Sequence, residues 1–263
     1  MYMQAASKST NRHDYEQAES PLGVMPKDYP DGFVVGWHAH VRGQLIHAVS
    51  GLMKVRTEQG FWLVPPLHAL WMPPGLLHDM QACGPVALRT LYIHPEVLSQ
   101  LPEVPKALGI SPLLRELLVR ASAIPIDYPA GSHEAQLLQV LLGEVQRACE
   151  AIDFHLQPAR DRRLAYVCDA LVAQPGDTRE LTQWAEVAGC SSRTLARLFK
   201  QEFSLSFSTW RQQVRLMAAL ARLARGEQVT SIALDLGYGS PGAFTEVFRR
   251  WLGAAPSSYF GGK

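Results

Sequence analysis

The chain carries one pattern twice. Residues 181–203, LTQWAEVAGCSSRTLARLFKQEF, and residues 229–252, VTSIALDLGYGSPGAFTEVFRRWL, each read as a short apolar helix, a glycine, a serine and a longer amphipathic helix. In the first copy Leu195, Leu198, Phe199 and Phe203 fall at i, i+3, i+4 and i+8, one apolar stripe on a 3.6-residue period. Phe244, Val247 and Phe248 match the first three in the second copy. Gly189 and Gly237 suit the turns because glycine accepts a positive φ. Ser191 and Ser240 are placed to cap the longer helices, and Pro241 suits a first helical position. Asp177 with Glu180 reads as a capping box for the helix before the first turn. Helix, glycine turn, helix is the helix-turn-helix arrangement, so the C-terminal part is predicted to be all-α. The linking stretch FSTWRQQVRLMAALARLARG reads as one helix of about 30 Å. Successive major-groove faces of B-DNA are about 34 Å apart.

The N-terminal half has a different rhythm. FVVGWHAH, GQLIHAVSG, GLMKVRTEQG, FWLVPP, HALWMPPG and VALRTLYI are short, rich in β-branched and aromatic residues, and interrupted by Gly and Pro. They predict an antiparallel sandwich or barrel. SPLLRELLVRA and SHEAQLLQVLLGEVQRACEAI then read as helices. Residues 1–20 are polar, without an apolar core for a signal peptide, and are expected to be a disordered tail. No apolar run approaches the roughly 18 residues of a membrane span. Four scattered cysteines without CxxC spacing point to a reducing cytoplasm and away from a zinc-finger framework.

A net charge of +1 conceals an asymmetry. From Arg160 onward there are 14 Lys+Arg against 9 Asp+Glu, and before it 11 against 15. A basic end on an acidic remainder is consistent with a polyanionic partner.

The repeat, the linker helix with Trp210 and Arg215, and the closing Pro256 and Tyr259 resemble the DNA-binding domain of the AraC/XylS family of transcription regulators. The resemblance implies a two-lobed domain over the last hundred residues, binding double-stranded DNA. It makes Ser192, Arg193, Ala196 and Arg197 the base-reading positions of the first lobe, and Thr245 and Glu246, beside Gly242, those of the second. Arginine can pair bidentately with guanine, and Glu can accept from cytosine. Phosphate contacts are expected from Ser191, Lys200, Arg215, Ser240, Arg249 and Arg250, with a surface salt bridge as the other choice for Arg250.

His38 and His40 in WHAHVRGQ, then Gln44, then His78 after PPGLLH resemble the two cupin motifs, H-x-H with a following Glu or Gln and P-x-G-x-x-H. Regulators of this family commonly carry such an effector domain. His38, His40, Gln44 and His78 are therefore the expected metal or effector pocket. Three imidazoles and an amide suit a divalent transition metal, although Gln44 stands where a charged glutamate is usual. The alternative is that the histidines brace an organic-ligand pocket. His47 and His68 read as structural or exposed, and Trp37, Trp62 and Trp71 as core.

The fold expected is α+β: a cupin-like antiparallel β-barrel followed by helices, then an all-α C-terminal domain with two helix-turn-helix motifs. The boundaries are a disordered tail at 1–25, a cupin-like effector domain at 26–110, a helical dimerisation segment at 111–158 and the DNA-binding domain at 159–263, with motifs near 180–203 and 229–252. Leu137, Leu138, Leu141, Leu142 and Val145 are expected at a homodimer interface, with packing on the barrel as the other choice. The function expected is effector-controlled, sequence-specific transcription regulation in the cytoplasm. Its partners would be DNA, a small molecule and, for an activator, RNA polymerase; catalytic residues are not expected. A metal-dependent cupin enzyme tethered to DNA and a metal-sensing regulator are the rivals.

Overall fold

A computed structural model describes residues 9–98, 101–151 and 153–260. The chain divides into two compact units, residues 1–58 with 62–153, and residues 59–61 with 154–263.

The first unit opens where a disordered tail was expected. Residues 1–8 lie outside the described part, but α1 (Arg12–Glu16) and β1 (Leu22–Tyr29) are formed. Tyr15 drives this order: it is buried and stacks on Tyr92 with ring centroids 5.5 Å apart. Buried Arg42 holds the following turn, donating to the carbonyls of Ser20 at 2.8 Å and of Ala18. β1 pairs antiparallel with β5 from Leu22↔Ile93 to Tyr29↔Val86 and uses one edge only, which lets Pro26 sit in a strand.

The remaining strands are β2 (Gly43–Thr57), β3 (Gly60–Val64), β4 (His68–Met72), β5 (Asp79–Ile93) and β6 (Lys106–Gly109). GQLIHAVSG and GLMKVRTEQG thus form one long strand. β2 pairs with β5 along its length, with register shifts flanking Ser50 beside Gly51, whose φ is +78°. β4 pairs with β2 and with β6. The expected barrel is realised as an antiparallel sheet whose pairings do not close into a ring among the described residues. FVVGWHAH is not a strand. It touches the sheet through single bridges, Val34↔Gln81 and His38↔His78, and Trp37 is exposed rather than core.

Both faces of the sheet are buried. Val24, Leu45, Ala69, Trp71 and Leu91 lie in one apolar layer; Ile46, Leu70, Met72 and Leu88 lie in another. Adjacent residues alternate between layers because strand side chains alternate. The first layer is completed by α2 (Pro112–Ala121) and α3 (His133–Arg147). This corrects the expected dimer stripe: Leu138, Leu141, Leu142 and Val145 are buried against the sheet, with Leu137 packed beside them. Of the two choices open for this stripe, packing on the sheet is the one realised.

The second unit is helical: α4 (Arg162–Ala173), α5 (Leu181–Val187), α6 (Ser192–Phe203), α7 (Phe207–Ala224), α8 (Val229–Asp235), α9 (Pro241–Leu252) and α10 (Pro256–Tyr259). The two helix-turn-helix motifs are α5–α6 and α8–α9. Gly189 and Gly237 turn them at φ +67° and +75°. Ser191 and Ser240 accept from Thr194 N at 3.1 Å and Ala243 N at 3.2 Å. The capping box at α5 is formed by Glu180 with Gln183, whose side chain accepts from Glu180 N at 2.8 Å. Asp177 instead pairs with Arg179 at 2.7 Å.

Candidate functional site: a histidine cluster and two outward helix faces

In the first unit, Gly36 at φ +78° and the His38↔His78 bridge bring the two histidine motifs together. The rings of His38, His40 and His78 lie with centroids 4.4–5.4 Å apart, all three buried. One donor nitrogen from each can be chosen so that all lie within 4.8 Å of one another. Each Nδ1 is already engaged: that of His38 with Gly36 O at 2.6 Å, that of His78 with Leu76 O at 2.8 Å, and that of His40 with the Glu16 carboxylate. A carbonyl or carboxylate on Nδ1 selects the Nδ1–H tautomer and leaves Nε2 a lone pair. The Nε2 atoms of His40 and His78 and the Oε1 of Gln44 are buried and unpartnered among the described residues. Burial pushes the His38 and His78 imidazoles down to about 4 and lowers that of His40, which keeps them neutral at neutral pH. Anchored neutral imidazoles with converging lone pairs are the donor set of a divalent transition metal.

Sequence reasoning missed Glu16, which it had placed in the tail. The carboxylate absent at Gln44 arrives from α1, onto the far side of the His40 ring. The only signal was the aromatic Tyr15 beside it. His47 and His68 are buried and structural; His47 Nδ1 donates to His68 O at 3.0 Å.

A cavity of about 270 Å³ adjoins the cluster. His38 forms part of its wall, with Tyr29, Phe33 and Tyr92 as aromatic surfaces and Arg12 and Lys27 as cations.

In the second unit, α6 buries Leu195, Leu198 and Phe199 and turns Arg193, Arg197 and Lys200 outward. Ser192 and Ala196 are half-buried beside them. Arg193 has no partner among the described residues, Arg197 reaches Gln201 at 2.9 Å and Lys200 donates to Ser204 O at 3.1 Å. None of these three cations forms an ion pair among the described residues: Glu202, the only acid on α6, accepts from the backbone amides of Arg160 at 2.6 Å and Asp161 at 3.1 Å.

The outward face of α9 differs. Glu246 pairs with Arg250 at 3.3 Å, and Thr245 returns its hydroxyl to Pro241 O at 2.8 Å. Gly242, Glu246, Arg249 and Arg250 are exposed. Arg215, expected on phosphate, is withdrawn into the fold. Its guanidinium donates to Pro175 O and Asp177 O, both at 3.0 Å, and lies 5.8 Å from the Tyr238 ring. Both carbonyls belong to the segment that joins α4 to α5. Several other cations are spent internally, including Arg179 on Asp177 and Arg222 on Glu227 and Asp235, so the basic excess overstates the charge free to meet a polyanion.

Comparison with known proteins agrees with this division. Residues 27–145 match the family model described as the AraC-like ligand binding domain, and residues 184–261 that of a helix-turn-helix domain. The chain is 35% identical over 222 residues to the HTH-type transcriptional regulator NimR of Escherichia coli, covering 84% of this chain and 81% of that one. It is 35% identical over 102 residues to the HTH-type transcriptional regulator RipA of Corynebacterium glutamicum, covering 39% and 31%. The structure of ToxT from Vibrio cholerae aligns at 9% identity over 92% of this chain and 98% of that one, with a TM-score of 0.39.

Proposed function

The chain belongs to the AraC family of transcription regulators, with an N-terminal ligand-binding domain and a C-terminal helix-turn-helix DNA-binding domain, and from that premise we propose that α6 reads bases while α9 mainly grips the backbone. The observation that carries this reading is the unneutralised outward face of α6. Arg193 and Arg197 pair with guanine edges, with Ser192 and Ala196 alongside. Ser191, Lys200, Ser240, Arg249 and Arg250 meet phosphates, and Thr245 and Glu246 contribute a weaker reading. Arg197→Ala is expected to weaken specific binding by about 1–3 kcal/mol and relax discrimination at one base pair. Unchanged affinity and footprint in a binding assay on the operator would refute the role.

The regulator works in the cytoplasm, as a homodimer, with RNA polymerase as partner if it activates. The ligand in the N-terminal domain acts by preferring one arrangement of the DNA-binding domains energetically. The reading is of a regulator and not an enzyme, in keeping with its relatives' names.

A second reading has its own observation. The fixed tautomers of His38, His40 and His78 favour a divalent transition metal there, with Gln44 or water completing the shell and Glu16 orienting His40. A bound metal would supply charge and a coordination position to the pocket. Elemental analysis of untagged protein tests this: near-stoichiometric metal, lost in His38→Ala/His78→Ala, is expected. A metal-free protein after incubation with zinc, iron, nickel or copper sinks it.

A further inference from the structure

The cavity beside His38 has a composition that the histidine cluster does not explain. Two cations, Arg12 from α1 and Lys27 from β1, line a space whose other walls are mostly aromatic and thioether, with Asn11, His13 and Val35 among them. Both are half-buried, and no ion pair is formed by either among the described residues. Lys27 Nζ lies 5.5 Å from the centroid of the Tyr29 ring. Tyr29 and Phe33 are tilted against each other with centroids 5.2 Å apart. Arg12 lines the cavity together with Tyr29, Tyr92 and His38. The one carboxylate of α1 near the cluster, Glu16, is engaged by His40 and makes no ion pair with Arg12 among the described residues. Partly desolvated cations with no carboxylate partner favour an incoming anion, and a carboxylate accepts the forked donors of an arginine.

We propose that this cavity takes a compact organic anion, its carboxylate held by Arg12 and Lys27 and its apolar or aromatic body laid among Tyr29, Phe33 and Tyr92. The proposal rests on the reading of the first unit as the effector domain and adds the chemical class of the effector. At about 270 Å³ the space is below the roughly 300–1,000 Å³ of drug-sized pockets, which restricts the body to about one ring or a short chain. Cations are opposed by Arg12 and Lys27.

The test is calorimetric titration of the full-length protein with an isosteric panel: phenylacetate and 3-phenylpropionate, their amides, and the corresponding amines. An acid is expected to bind at least tenfold more tightly than its amide, and the amines not to bind. Arg12→Gln/Lys27→Gln should remove that preference, while Arg12→Lys should restore much of it; the retained amide affinity shows that the double variant folds. Equal affinity for acid and amide, or a preference unchanged in the double variant, overturns the assignment of an anion and leaves the effector reading intact. A preference lost on treatment with a chelator but kept in the double variant also overturns it, by assigning the carboxylate to a metal. If no compound of any charge binds, the anion assignment falls, while the effector reading, which rests on the family match, stands.

Discussion

Replacing Arg215 by methionine separates two roles that a sequence cannot tell apart. The guanidinium makes two hydrogen bonds of 3.0 Å, to Pro175 O and Asp177 O, from a half-buried position on α7. Hydrogen bonds from a charged donor contribute about 1.5–3 kcal/mol each, and a carbonyl left unpaired adds its desolvation cost. Methionine keeps most of the stem's packing, and water reaches part of the site. A net loss of about 2–4 kcal/mol is therefore expected. For a unit of this size that lowers the melting temperature by about 10–20 °C. Thermal unfolding followed by circular dichroism measures the loss. Binding to operator DNA, measured well below the melting range over a series of salt concentrations, measures the other role. A phosphate contact adds about 0.9 to the slope of log K against log salt, and Arg215→Met should leave the slope unchanged. A variant as stable as the parent with a slope reduced by about 0.9 would refute the inward assignment.

Arg249→Ala should lower that slope by about one and weaken binding to all sequences alike; a loss confined to one operator would contradict a phosphate role. Gly237→Ala should cost more stability than Gly189→Ala, since both pay about 1–2 kcal/mol for a left-handed backbone but only at Gly237 would a Cβ meet backbone, at 2.8 Å from Gly176 O; equal melting temperatures would count against this. Burial holds His47 and His68 at about 4 in the fold, against about 6.5 unfolded. Their contribution is complete above pH 6.5 and falls as the pH drops toward 4, so each withdraws about 2 kcal/mol by pH 5. Urea denaturation showing equal stability at pH 7.5 and pH 5 would overturn the sign. If the cluster binds metal, Glu16→Ala should weaken binding about 10–100-fold, and an unchanged affinity in a competition titration would remove Glu16 from the site.

The two helix-turn-helix motifs were legible because three independent signals coincide at each: a 3.6-residue stripe, a glycine that must turn left-handed, and a serine that caps. His38, His40 and His78 were legible as a group through motif resemblance, and the structure brings them together. What escaped depended on contacts distant in sequence. The order of α1 comes from Tyr15 meeting Tyr92, and nothing in a five-residue polar helix announces that. Glu16 was hidden for the same reason. β1 was masked by Pro26 and by the adjacent charges of Lys27 and Asp28, which break the strand alternation. Arg215 lies on a helix rich in arginine, and its direction is set by carbonyls some 40 residues earlier. The fate of the α3 stripe required knowing that the sheet is apolar on both sides, a feature that a run such as VALRTLYI leaves ambiguous.

That two-sidedness makes the sheet a thin partition. On β1, Val24 faces the layer packed by α2 and α3, while Met25 lines the cavity; on β5, Leu91 and Tyr92 divide in the same way. Each pair is joined by one planar, stiff peptide unit. A molecule that pushes Met25 or Tyr92 aside tilts that plane and moves its neighbour in the helical layer. Cavity and helices are thus separated by the thickness of a single backbone, and news of occupancy has one residue to travel.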